Sequence, residues 1–133
     1  MVPNTVIDRI EFILNKDETT QQNYTLQQFD YSISSAYDIH NESEKRMDVY
    51  ASGCNNNEPD QVFLEWIANH PGDWSGIVKI FFKNEETPNI TLHFKKSIAQ
   101  SYNQSFTENN GYQQNGYFSA NLMGVVINNV AVN

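Results

Sequence analysis

Cysteine is almost absent. Cys54 stands alone, so the chain cannot build an internal disulfide framework. Basic residues are also few: 8 Lys and Arg against 16 Asp and Glu leave a net charge of −8. The only adjacent basic pairs are Lys45-Arg46 and Lys95-Lys96. A nucleic-acid partner needs a basic stripe, so this distribution argues against DNA and RNA. Anionic membrane surfaces are disfavoured for the same reason. No apolar run approaches the ~18 to 20 residues that cross a bilayer. No N-terminal stretch joins basic residues to an apolar segment, so no secretory signal is expected. Catalytic motifs are missing too: there is no glycine-rich phosphate loop, no G-x-S-x-G elbow and no H-E-x-x-H.

What remains is a chain of 133 residues and 15.3 kDa, which predicts one domain over 1–133. That length can bury a core without disulfides or a metal. Hydrophobic residues make up 39 %, aromatics 13 % and charged residues only 18 %, a balance that excludes a disordered acidic chain. With 18 Asn and 9 Gln, the polar surface is amide rather than ionic.

Most of the chain alternates with a period of two, the mark of strands. Val6, Ile10, Phe12 and Leu14 oppose Arg9 and Glu11. Over 23–34, Tyr24 and Leu26 lead to Phe29, Tyr31 and Ile33, with a one-residue phase slip at Gln27-Gln28 that a bulge would restore. Met47, Val49 and Ala51 alternate with Asp48 and Tyr50. Residues 35–45 carry no apolar period and read as a long loop; 52–59 read as a turn cluster. One helix follows, with Pro59 in its first turn, Asn57 or Glu58 near the cap, and Phe63, Trp66, Ile67 and His70 on one stripe. Pro71-Gly72 stops it.

Strands resume with Val78, Ile80 and Phe82. Then Leu92, Phe94, Ile98, Tyr102 and Phe106 fall on even positions, facing away from Ser97, Ser101, Asn103 and Ser105. Phe118, Ala120 and Leu122 oppose Ser119 and Asn121 in the last strand, and Gly124 permits a bulge there. The predicted class is mainly β: an antiparallel barrel or two-sheet sandwich, with one short side helix between strands 3 and 4.

Segment 91–106 has a geometric consequence. At ~3.3 Å per residue it would span roughly 50 Å, while a domain of this length is about 36 Å across. The strand must bend strongly, or project and leave unpaired backbone groups along its edge.

Sites for chemistry are poor. Asp38 and His40 could offer two metal ligands, but a third at suitable spacing is missing, and Cys54 has no Cys or His within five residues. The carboxylate pairs Glu42/Glu44, Glu58/Asp60 and Glu85/Glu86 fall in predicted loops or at the helix start, where they serve solubility rather than acid–base work. Neither a cofactor, nor a metal, nor a catalytic residue is expected.

The order of these segments resembles the Hcp (TssD) tube proteins of type VI secretion systems, in the short form typical of Bacteroidetes. The likeness runs from about Val6 to Val132. It rests on Tyr24–Ile33 (YTLQQFDYSI), Asp38, the helix Phe63–Trp66 (FLEW), Ser75–Phe82 (SGIVKIFF), Leu92–Ile98 (LHFKKSI) through Tyr102 to Phe106, Phe118–Ala120 and Val126–Val130 (VINNV). Each stretch alone is a plain amphipathic element; their order and spacing carry the likeness.

The resemblance implies a structural subunit, not an enzyme. Copies would close into a homohexameric ring, and rings would stack into a tube inside a contractile sheath. Partners would be other copies, sheath and spike or baseplate proteins, and small effectors in the lumen. The protein would be made in the bacterial cytoplasm and leave through the apparatus without a signal peptide. Tyr37, Asp38, Ile39 and His40 become candidates for the ring-to-ring contact. Ser97, Ser101, Asn103, Ser105, Ser119 and Asn121 become candidates for subunit contact and lumen wall. Two other readings compete: a monomeric β-barrel with a small ligand in its mouth, and the tube of a phage tail or extracellular contractile particle.

Overall fold

The computed structural model describes residues 6–38, 41–108 and 112–133. Ten strands and one helix follow in the order β1 (Ile7–Asn15), β2 (Gln21–Leu26), β3 (Gln28–Asp38), β4 (Asn41–Asn55), α1 (Gln61–Ile67), β5 (Ser75–Phe82), β6 (Ile90–Phe94), β7 (Lys96–Glu108), β8 (Tyr112–Met123), β9 (Val126–Ile127) and β10 (Val130–Ala131). They form two antiparallel sheets. The first has the order β10-β9-β6-β5-β1-β2 and the second β3-β4-β8-β7. Of the two expected architectures, the sandwich is the one formed.

Single residues pass the chain between the sheets. Gln27 separates β2 from β3, and Lys95 separates β6 from β7. The phase slip at Gln27-Gln28 is therefore a change of sheet, as at the corners of orthogonally packed sandwiches. The return passage is at Gly124, whose φ of 66° suits a residue without Cβ. There the Lys95 N–H donates to the Met123 carbonyl at 2.9 Å.

The core lies between the sheets and under α1. Ile10, Phe12 and Leu14 from β1 meet Val78 and Ile80 from β5, Leu92 and Phe94 from β6, and Val49, Phe118 and Leu122 from the second sheet. The helix caps this layer. Asp60 is its N-cap, accepting from the Phe63 N–H at 2.9 Å, so the cap sits two or three residues later than Asn57 or Glu58. The helix ends at Ile67, not His70, because Asn69 turns to a φ of 63° and cannot continue it. Seven residues do not hold a helix alone; Phe63 and Trp66 anchor it. Phe63 packs edge-on against Tyr24, Tyr102 and Phe118, and Trp66 against Phe12 and Phe118. On the far face of the first sheet, Phe81 is nevertheless buried: the Arg9 guanidinium lies 3.7 Å from its ring centroid.

Three segment assignments need correction. Residues 35–38 and 41–45 are not a loop: Ser35 pairs with Met47, Tyr37 with Lys45 and Asp38 with Asn41 in the β3–β4 hairpin. Residues 52–55 are the end of β4, not a turn. Segment 91–106 is two strands in two sheets, so the helix lies between β4 and β5 of ten strands. The long segment thus both bends, at Lys95, and projects, as β7.

Candidate functional site

The second sheet is the unusual surface. Its four strands are 11, 15, 12 and 13 residues long, against 9 or fewer in the first sheet. Its inner face meets the core in rows such as Phe29–Gly53–Phe118–Tyr102 and Tyr31–Ala51–Ala120–Ala99. Gly53 serves this packing, since a Cβ there would stand 2.8 Å from the Phe118 ring. Tyr102 is partly buried among these rings, and that burial, followed by the Cys54 charge, raises its phenol pKa.

The outer face is polar and small. Asp30, Ser52, Ser119 and Ser101 stand side by side across β3, β4, β8 and β7. The Ser52 hydroxyl donates to Asp30 Oδ1 at 2.5 Å, and the Ser101 and Ser119 hydroxyls share a hydrogen bond of 2.5 Å. One row away stand Ser32, Tyr50, Asn121 and Ile98; on the other side stand Gln28, Tyr117 and Asn103, with Cys54 in the same row but buried. Arg46 and Asp48 pair at 3.2 Å near one end. Large apolar groups on this face are isolated: Tyr50, Ile98 and Tyr117.

Five of the six expected wall residues therefore share one face: Ser101, Asn103, Ser105, Ser119 and Asn121. Ser97 does not. It is 3 % exposed, accepts from Trp66 Nε1 at 3.0 Å and donates to the Trp74 carbonyl at 2.7 Å. It is a core residue, and Ile98 next to it faces outward. The cause is a bulge between Ala99 and Ser101. The break at Lys95 shifts the alternation by one residue and Gln100 shifts it back, so the uniform even phase of the sequence conceals an inverted stretch. The Trp66 indole, which needs a polar partner when buried, was the available hint.

Of the expected stacking residues, the backbones of Tyr37 and Asp38 lie at the end of β3. Ile39 and His40 lie outside the described residues. Among the described residues, no group of three or more His, Cys, Asp or Glu side chains is arranged to hold a metal. Tyr24 donates to Asp60 at 2.7 Å, and its pKa is raised by burial and by that carboxylate, but the pair fixes the helix under the core. At the centre of the core, the space among Phe12, Trp66, Phe94 and Phe118 is only about 10 Å³. That is no more than one water, so this space holds no ligand.

Both outside strands of this sheet, β3 and β7, are edges. Long edges of this kind are normally blunted or covered. The fold as a whole is similar to that of a solved protein: Hcp1 from Flavobacterium johnsoniae superposes with a TM-score of 0.70 at 13 % identity, covering 92 % of this chain and 97 % of that one. The chain has the Hcp fold. A type six secretion system protein matches with a TM-score of 0.65 and 14 % identity, over 94 % of this chain and 90 % of that one. A chain of the six-fold symmetrised anti-feeding prophage baseplate matches at 0.58 and 9 % identity, over 98 % and 99 %. No family model and no curated protein matches the sequence. The Hcp fold is thus conveyed by shape, with little sequence in common. No helix among the described residues is long and apolar enough to cross a membrane.

Proposed function

We propose that residues 1–133 form one tube domain whose copies close into a homohexameric ring, the building block of the inner tube of a contractile injection apparatus. One observation carries this reading: the Hcp fold leaves β3 and β7 as long edges on opposite sides of a single sheet. Alternation of direction makes β3 and β7 antiparallel to each other. The β7 of one copy therefore meets the β3 of the next in the sense that every pair inside the sheet already has. Repetition around a closed circle leaves no free edge.

The size is reasonable. Six four-stranded sheets at ~4.8 Å per strand give a wall about 115 Å around. With a strand tilt of about 40° the cylinder is about 45–50 Å across. The outer face would line this space, presenting Ser101, Asn103, Ser105, Ser119 and Asn121 with few charges. Such a wall suits passage of small effectors rather than tight binding. The first sheet would face the sheath, and end rings the spike or baseplate. The role is mechanical, with no catalysis. The protein would leave the bacterial cytoplasm through the apparatus. The aromatic filling between the sheets, which leaves about 10 Å³ among Phe12, Trp66, Phe94 and Phe118, supports the tube over a monomeric ligand-binding barrel. The type VI reading is preferred over an extracellular particle because the Hcp1 and type six structures superpose more closely, with TM-scores of 0.70 and 0.65 against 0.58.

Light scattering after gel filtration, with negative-stain microscopy, tests the ring. A mass six times that of the chain and six-fold rings are expected. A strict monomer at high concentration, with no rings on addition of the cognate baseplate, refutes the reading.

A further inference from the structure

The two hairpins of the second sheet are staggered. β4 and β8 share seven pairs, from Val49↔Leu122 to Asn55↔Gly116. Before Val49, β4 runs from Asn41 to Asp48 and pairs only with β3 among the described residues. Before Gly116, β8 runs from Tyr112 to Asn115 and, among the described residues, pairs only with β7. The free flank of β4 lies past one end of the shared region and the free flank of β8 past the other. Each faces the column that the other strand has vacated.

We propose that a second copy of this chain, displaced along the strands, fills the vacancy: its Tyr112–Asn115 pairs antiparallel with Asn41–Asp48 of the first. A pure translation puts the incoming β8 in line with the resident one, and so gives the direction already present between β4 and β8. The flank is long enough, with ~13 Å of incoming strand against ~20 Å of flank over Asn41–Arg46. An open notch of about 520 Å³ lies at the junction, bounded by Arg46, Met47, Asp48, Leu122, Met123 and Asn133. Its floor is finished by the Asn133 carboxamide. Nδ2 donates to the Met47 and Leu122 carbonyls at 3.2 Å each, and Oδ1 accepts from the Val125 N–H at 2.8 Å. Asn133 thus satisfies the Leu122 carbonyl of the shared region and the Met47 carbonyl of the flank, and the vacant column begins beyond Met47.

Composition selects the partner. The free β4 flank carries Glu42, Glu44, Lys45, Arg46 and Asp48, whereas the incoming Tyr112-Gln113-Gln114-Asn115 has no charge. Two β4 flanks would set these five charged positions against one another and close about a two-fold axis; β4 with β8 does neither. The contact is therefore head-to-tail and repeats without closing, as a stack of rings requires. The inference rests on the tube reading only in taking the displacement as the tube axis.

Cysteine crosslinking tests it. Arg46 and Asn115 share the outer face, so the full chain carrying Cys54→Ser, Arg46→Cys and Asn115→Cys should give a ladder of linked multimers under mild oxidation. Neither single-cysteine variant should give more than a dimer. Gln114→Pro should abolish the ladder while leaving fold and rings intact. The Gln114 N–H faces the vacant column, so it is not needed by β7. Rings without a ladder overturn the proposal and leave the tube reading standing. A ladder without rings supports it and removes the tube reading. A ladder that survives Gln114→Pro, or no assembly of any kind, overturns it.

Discussion

Ser97→Ala separates a core role from a wall role. The hydroxyl joins the Trp66 indole N–H, at 3.0 Å, to the Trp74 carbonyl, at 2.7 Å, in a site 3 % exposed. Alanine leaves the Trp66 donor without its partner among rings that cannot replace it. An orphaned buried donor costs about 1–3 kcal/mol, and loss of the second bond adds roughly 1 kcal/mol. The expected loss is about 2–4 kcal/mol, a fall in urea midpoint of about 1–2 M at ordinary slopes for small proteins. Urea titration by tryptophan fluorescence measures it directly, at fixed protomer concentration because assembly stabilises by mass action. Ser101→Ala is the control: its hydroxyl is exposed and bonds only to another exposed serine, so less than about 0.5 kcal/mol is expected. Equal midpoints for the two variants, or a larger loss at Ser101, would refute the placement of Ser97.

Two further perturbations follow from contacts of other residues. Gly76→Ala places a Cβ 2.3 Å from the Ile13 carbonyl and 2.6 Å from the Phe94 ring, so β1 must shift, and a loss of about 2–3 kcal/mol is expected in denaturant titration. Gly53→Ala meets mainly the Phe118 ring edge, at 2.8 Å, and should cost less. Glu65 has its pKa lowered, chiefly by its hydrogen bond from Lys16, so its contribution is present above the ordinary carboxylate value of about 4.3 and disappears as pH falls through the lowered one. Thermal scans from pH 6 down to pH 2.5 should show Glu65→Gln losing less stability across the acid range than the parent; parallel curves would contradict this.

Much of the fold was legible because burial writes itself as alternation. Phe12 and Leu14, Val78 and Ile80, and Leu92 and Phe94 all point to the core as their spacing predicts. The arms of the second sheet were illegible for the converse reason. Over 35–38 and 41–45 the sequence lacks an apolar period, and the pairing that makes these residues strands is between backbones, which carry no residue code. Ser52–Asn55 failed differently, since Gly53 must be small to admit Phe118 and Asn55 is a buried amide, which together resemble a turn in sequence. The alternation gives the face of Ser101, Asn103 and Ser105 as the structure has it, and misplaces Ser97, where two opposite slips cancel. The stagger of the hairpins had no sequence signal, because it depends on which residues of β4 and β8 lie opposite each other.

The corner residues Gln27 and Lys95 have a mechanical consequence. At each of them the peptide chain itself runs from one layer into the other. A force dragging one layer past its neighbour is met by covalent backbone at both places, not only by contacts between side chains. The two layers must therefore travel together under load, and rupture has to begin by unzipping a strand from its sheet.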